Sequence, residues 1–305
     1  MKRLFLALVL ATALHAVDRP AAAVRMPADL KIVDHIVFKK VGDVSLELML
    51  FQPLEKKFEK TPLVVYIHGG GFGGGDRTKV LRPDSIGVVR ELNRRGFTCA
   101  SVEYRLTDGH ATVNESVADC KDAVRFLAKH ADEYGIDPSR IGTFGSSAGG
   151  TITLVTALGD DRDYPCDPAL DGAPAKIRCV AAFYGLASFI DPELAKGSNF
   201  EKPGRFVPIL GGPLEERRDL AKKLSAIELL RADSPAIFLA HGDADVVINF
   251  KNSIAMRDAA QAKGVPVECV ISHGAGHGFG GEKIDPTIEE IDRRTVAFFV
   301  KYLNP

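Results

Sequence analysis

The sequence contains no tryptophan and only five cysteines in 305 residues. Cysteines this few exclude a scaffold built on disulfides, and their wide spacing matches no zinc motif. Charge of one sign is also missing. Lys and Arg total 39 against 40 for Asp and Glu, a formal net charge of −1, so no basic field points to a nucleic-acid partner. No apolar run approaches the roughly 20 residues that span a bilayer. Disorder is excluded by composition, with 46% hydrophobic and 26% charged residues. Glycine is what the chain has in surplus: 29 residues, against about 21 at an average usage of about 7%.

At the N-terminus, Lys2 and Arg3 precede the uncharged stretch Leu4 to Leu14. A basic start, an apolar middle and a small-residue exit read as a secretory signal peptide over residues 1–23. Ala21-Ala22-Ala23 offers the cleavage site and Ala16 a second one. No cysteine precedes Cys99, so a lipid anchor on a cysteine after this run is excluded. The expected location is secreted or periplasmic, with no stable membrane anchor. Export permits disulfides. Cys166 and Cys179 flank a loop rich in Pro, Asp and Gly and are the best-placed pair; closing that loop would stabilise by about 3 kcal/mol. Cys120 falls on the helical stripe Val113, Val117, Cys120, Val124, Leu127, while Cys99 and Cys269 sit in strand-like apolar runs. All three read as core thiols.

Along the chain, Ile32–Phe38 and Val44–Phe51 are β-rich runs around Val41-Gly42-Asp43, a predicted hairpin. Leu63–Ile67 follows and ends in a glycine cluster. From there strands and helices alternate. Helices are predicted at about 80–94, 114–133, 148–158, 250–263 and 287–302, and strands at 97–103, 140–145, 177–184, 236–240 and 267–271. Alternation with near-continuous apolar strands predicts an α/β fold, a mostly parallel sheet of about eight strands with helices on both faces. No long linker divides residues 24–305, so they read as one domain. The irregular stretch 186–230 reads as a small cap-like insertion over one end of the sheet, the end where open α/β sheets bind ligands.

Gly145-Ser146-Ser147-Ala148-Gly149 has the pattern G-x-S-x-G, preceded by the strand Arg140–Phe144 and followed by the apolar helical run Thr151–Leu158. A strand, tight turn and helix expose the central hydroxyl, so Ser147 is the candidate nucleophile. Upstream, His68-Gly69-Gly70-Gly71-Phe72 follows a strand. Consecutive glycines let backbone N–H groups converge on the negative oxygen of a tetrahedral acyl intermediate, where one donor is worth about 3 kcal/mol. The candidate oxyanion donors are Gly70, Gly71 and Ala148. His68 reads as a pin for this loop, and Gly73–Gly75 as added flexibility.

A serine hydroxyl needs a histidine base, oriented by a carboxylate. His241-Gly242-Asp243-Ala244-Asp245-Val246-Val247 follows the strand 236–240, and Gly274-Ala275-Gly276-His277-Gly278-Phe279 follows the strand 267–271. Asp243 and Asp245 compete for the carboxylate role, and His273 and His277 for the base. Asp245 is favoured because it lies clear of the strand and precedes an apolar anchor. His277 is favoured because glycines on both sides suit a ring on a mobile loop.

With these motifs in place the sequence resembles the α/β-hydrolase superfamily, over about residues 30–303. The resemblance rests on HGGGF at 68–72, EYRL at 103–106, DCKDAVRFL at 119–127, YGIDPSRIGTFGSSAGG at 134–150, HGDADVV at 241–247 and GAGHGF at 274–279. The chain looks most like the hormone-sensitive-lipase-like enzymes and the bacterial feruloyl- and acetyl-esterases. That resemblance implies a Ser147–Asp245–His277 triad, an oxyanion hole at Gly70, Gly71 and Ala148, and no metal or organic cofactor. Two departures refine it. Ser146 stands where hormone-sensitive-lipase-like members usually carry Asp, and residues 24–60 look like strands instead of a helical cap, which favours the compact feruloyl/acetyl-esterase branch. Gly185-Leu186-Ala187-Ser188 lacks the Pro and Asp common in that branch.

The expected function is a secreted serine esterase acting on short-chain or aryl esters, including acetyl or feruloyl groups on polysaccharide. The expected partner is a small-molecule or carbohydrate ester. A serine peptidase, an acyltransferase and a catalytically silent binding module are the alternatives on the same fold. Phe72, Tyr104, Phe183 and Phe189 are candidate pocket walls, with core packing as the competing reading.

Overall fold

The computed structural model describes residues 26–164, 166–173 and 176–304. The expected signal peptide at residues 1–23 lies outside them. The hairpin is present: β1 (Lys31–Val41) and β2 (Val44–Gln52) pair antiparallel with Val41 opposite Val44, leaving Gly42-Asp43 as a two-residue turn. Gly42 has φ +58°, a left-handed conformation that glycine adopts without penalty.

Next come β3 (Thr61–Ile67), β4 (Thr98–Val102), β5 (Ile136–Ser146), β6 (Ile177–Phe183), β7 (Ala236–Gly242) and β8 (Val267–Ser272). They form one sheet in the order β1-β2-β4-β3-β5-β6-β7-β8. Pairing is parallel from β4 through to β8, and β2 is antiparallel to β4. All seven residues of β3 and of β7 are buried, as strands covered on both faces must be.

Two hydrophobic layers flank the sheet. Leu63, Val65 and Ile67 of β3 face one layer, and Val64 and Tyr66 the other, the period-two alternation of a strand. The first layer packs under α2 (Val113–Lys129), α3 (Ala148–Leu158) and α4 (Lys251–Ala262). The second packs under α1 (Pro83–Arg94) and α5 (Ile288–Leu303).

Boundaries differ from the expected ones for local reasons. The predicted helix 80–94 divides into a 3-10 turn, Arg77–Leu81, and α1, because Pro83 starts a new helix at N1. The predicted helix 114–133 ends at Lys129, and a separate turn, Ala131–Tyr134, closes on left-handed Gly135. Strand β5 begins four residues early, where Thr61 pairs with Ile136; the polar Asp137-Pro138-Ser139 conceals that extension.

All five cysteines are free, Cys166 and Cys179 of the candidate pair included. Cys179 is buried in the layer beneath α1 and α5. Cys166 belongs to the opposite side: Tyr164 packs in the other layer, and the Asp167 amide donates to Asp122 of α2 at 3.2 Å.

Residues 186–230 connect β6 to β7 through short helical turns: Pro192–Ala195, Asn199–Glu201, Val207–Leu210, Arg218–Lys223 and Ala226–Leu229. They lie over the carboxyl ends of the strands. The Asn199 amide donates to the Val246 carbonyl at 3.1 Å, and the Phe189 ring sits 6.2 Å from that of Phe72.

Candidate active site

Ser147 sits between β5 and α3 with φ 57° and ψ −123°. This left-handed conformation is costly for a side-chain-bearing residue. The Ser147 amide donates to the Phe183 carbonyl at 2.9 Å, which ties the turn to β6. The flanking glycines answer to backbone crowding. A Cβ on Gly145 would lie 2.2 Å from the Gly149 carbonyl oxygen, and one on Gly149 would lie 2.0 Å from that of Ile67.

Ser147 Oγ lies 2.8 Å from His277 Nε2. His277 Nδ1 lies 2.7 Å from Asp245 Oδ2. A carboxylate can only accept, so Nδ1 carries the proton and Nε2 is left to accept from the serine hydroxyl. The structure therefore brings together the three residues singled out from separate loops.

The rivals form a pair of their own. His273 Nδ1 meets Asp243 Oδ2 at 2.8 Å, and Asp243 Oδ1 accepts from the Gly274 amide at 2.8 Å. This exposed pair ties the β7 loop to the β8 loop and does not reach Ser147.

Asp245 is held from several sides. Oδ1 accepts from the amides of Val247 (2.7 Å) and Ile248 (3.0 Å). A histidine that sequence reasoning passed over also contributes. His241 is fully buried, and its Nε2 lies 3.0 Å from the Ile248 carbonyl. A carbonyl accepts, so Nε2 is protonated and also faces Asp245 Oδ2 at 3.3 Å. Burial by itself would raise the Asp245 carboxyl, but hydrogen bonds from His241 and His277 and the field of His277 hold it well below the usual carboxylate range. It stays ionised beside the base.

The base sits on a turn held by aromatic packing and backbone hydrogen bonds. His277–Phe279 form a kinked turn, with Gly278 left-handed at φ 73° and ψ 20°. The Phe279 ring is buried edge-on against Phe183 at 5.5 Å and Tyr184 at 5.1 Å. His273 and Asp285 exchange backbone hydrogen bonds just beyond.

Gly70 and Gly71 line the same cavity as Ser147 and His277, a cleft of about 290 Å³. Among the described residues, the N–H groups of Gly70, Gly71 and Ala148 donate to no protein acceptor. Gly73–Gly75 do more than add flexibility. The loop folds back on itself so closely that a Cβ on Gly70 would lie 1.7 Å from the Gly74 carbonyl oxygen.

His68 lies behind this loop. Nδ1 donates to the Gly69 carbonyl at 2.9 Å, and the ring stacks on Tyr104 at 4.3 Å. Tyr104 Oη donates to the His68 carbonyl at 2.7 Å. Burial pushes the imidazole down to about 4, so it is neutral at ordinary pH and serves as the pin.

Phe72, Tyr104, Phe183 and Phe189 are all buried, and none of them lines the cleft beside Ser147. The tyrosines that line it are Tyr66 and Tyr184; the Tyr184 ring edge meets His277 at 4.8 Å and its hydroxyl donates to Asp84 Oδ2 at 2.7 Å. Nothing in the strand pattern distinguishes Tyr184 from its neighbour Phe183. Ser146, at the departing motif position, joins a chain of hydroxyls through Tyr66 to Ser85, each step 2.9 Å. Ser188 accepts from the amides of Ile190 and Asp191, both at 3.1 Å, and shapes a turn outside the cavity. No group of His, Cys, Asp and Glu among the described residues is arranged to hold a metal ion.

A family model described as BD-FAE matches residues 48–259. Esterase LipC of Mycobacterium tuberculosis (strain ATCC 25618 / H37Rv) is 24% identical over 259 residues, covering 82% of this chain and 62% of LipC. The chain thus spans less than two thirds of that relative's length. A truncated carbohydrate esterase from gut microbiota has a similar structure, with TM-score 0.75 and 20% identity over 90% of this chain and 97% of that one. Esterase 2 of Thermogutta terrifontis, phosphonylated by sarin, superposes with TM-score 0.74 and 25% identity over 92% and 98% of the two chains. A propionate-bound form of it is also similar, at TM-score 0.70 and 25% identity over 91% and 97%. The fold is that of the α/β-hydrolases.

Proposed function

The chain belongs to the BD-FAE family, and from that premise we propose that it is a serine carboxylic-ester hydrolase using Ser147, His277 and Asp245. One observation carries the reading: the Ser147 Oγ to His277 Nε2 to Asp245 chain, at 2.8 and 2.7 Å, opens into the cleft lined by Gly70 and Gly71. Ser147 Oγ attacks the ester carbonyl carbon while His277 Nε2 takes its proton. The resulting oxyanion is met by the N–H groups of Gly70, Gly71 and Ala148. Collapse expels the alcohol, which takes the proton back from His277 and leaves an acyl-enzyme. Water, deprotonated by the same histidine, then releases the acid. Asp245 holds the ring in the productive tautomer and stabilises the imidazolium.

The small cleft and the propionate-bound relative favour short acyl groups. The carbohydrate-esterase neighbour is consistent with a saccharide alcohol. The basic, apolar and small-residue succession of residues 1–23 supports export, and N-terminal sequencing of the mature protein should begin at residue 24 or 17; a retained Met1 would overturn export.

The expected result for Ser147→Ala is a loss of p-nitrophenyl acetate turnover of roughly 10³-fold or more, with an unchanged circular-dichroism spectrum. Turnover near that of the wild type would overturn the assignment.

A further inference from the structure

The cleft carries more positive charge than ester hydrolysis requires. Lys79 and Arg82 line it together with Ser147 and His277. Lys79 Nζ lies 3.1 Å from the point where a Cβ on Gly70 would sit, close against the oxyanion loop. From the insertion between β6 and β7, Arg205 Nη2 comes within 3.5 Å of the corresponding point on Gly71, and the Arg205 guanidinium stands over the Phe200 ring at 5.1 Å.

Among the described residues, none of these three cations has a carboxylate within 4.0 Å or a side-chain hydrogen bond. Their neighbours are treated differently. Arg77 is met by Asp34, Glu47 and Glu103, and Arg105 by Asp119 at 2.8 Å. Among the described residues that line the cleft, the one carboxylate is Asp84. Its Oδ2 accepts from Tyr184 and lies 4.0 Å from the Cβ position of Gly278, on the histidine side. Two of the three cations, Lys79 and Arg205, therefore stand against the oxyanion loop, while the Asp84 carboxylate stands toward Gly278 on the histidine side.

The oxyanion needs only the backbone donors already present. A group of unneutralised cations beside them, in a cleft that focuses their field, is matched by a second negative charge on the substrate. We propose that the ester taken by this site bears a carboxylate, held by Lys79, Arg82 and Arg205 beside the oxyanion loop. The inference rests on the esterase reading of the same site and narrows its substrate class to carboxylate-bearing esters, such as those of uronates or hydroxybenzoates.

The test compares 4-acetoxybenzoate with its neutral methyl ester, which share the acetyl group and the aryl leaving group. The measured quantity is the ratio of kcat/KM for the charged over the neutral ester. The double variant Lys79→Gln/Arg82→Gln should lower that ratio at least about tenfold, and raised salt should lower it in the wild type. Arg205→Gln should lower it further, whereas Arg82→Lys, which keeps the charge, should hold it within about twofold. A ratio unchanged in the double variant, or equal losses on both esters, overturns the proposal; equal losses would mean that the cations serve the oxyanion or the fold. Wild-type inactivity on both esters, with Ser147 unlabelled by an organophosphonate, overturns the esterase reading instead. Binding of 4-acetoxybenzoate to Ser147→Ala, followed by NMR, then decides the charge question without turnover: weaker binding on adding Lys79→Gln/Arg82→Gln supports the proposal and equal binding overturns it.

Discussion

At the scale of single residues, the site is governed by which side chains are absent as much as by which are present. A methyl group on Gly149 would meet the Ile67 and His68 carbonyl oxygens at 2.0 and 2.5 Å, so β3 and the oxyanion loop would have to move away from the nucleophile. Gly149→Ala should therefore lower kcat/KM roughly 100-fold, the cost of about 1 Å of misplacement, and destabilise by about 1–3 kcal/mol. Ester turnover together with chemical denaturation checks this; wild-type turnover would show that the contact does not set the loop's position. The spacing of Ser147, Asp245 and His277 after predicted strands made them legible in the sequence. His241 and Tyr184 were not legible in that way. Their roles depend on what faces them, the Asp245 carboxylate and the His277 ring, and a residue's partners across the sheet leave no local pattern.

At the scale of elements, α1 and α5 meet across a contact with a charge at its centre. Asp292 Oδ2 lies 1.9 Å from where a Cβ on Gly87 would sit, and Oδ1 has no partner among the described residues. Burial, then the fields of Glu289 and Asp84, push this carboxyl up from 3.8 to about 7. A folded-state value above the unfolded one means that the unfolded chain releases the proton first. Stability is then lost as pH rises from about 4 through about 7. Asp292→Asn should raise Tm at pH 8 by about 2 °C or more, and the gain should vanish near pH 4. Thermal melts across that range test it, and a gain independent of pH would show that charge is not the cause. Helix and strand positions were legible at this scale because the apolar periods are strong. The breaks at Pro83 and Lys129 and the early start of β5 were missed, since capping and the pairing of strand ends at Thr61 and Ile136 decide them.

At the scale of the whole molecule, the two layers on either side of the sheet decide the state of the cysteines. Cys179 lies on one side and Cys166 on the other, and all five thiols are free. A reducing agent should therefore shift Tm by less than about 1 °C, since a disulfide worth about 3 kcal/mol would shift it by several degrees. Mass spectrometry after alkylation of the denatured chain should count five thiols. The sequence by itself determined the alternation of strands and helices, the parallel sheet, and the order of nucleophile, carboxylate and base. It could do so because periodicity and turn chemistry are local. Only the tertiary structure decided which Asp and His pair with each other, that Tyr184 lines the cleft while Phe72 and Phe189 do not, and that Lys79 and Arg82 line it with Arg205 close to Gly71. Those outcomes depend on where the ends of different strands and the insertion between β6 and β7 converge, and packing across the sheet sets that.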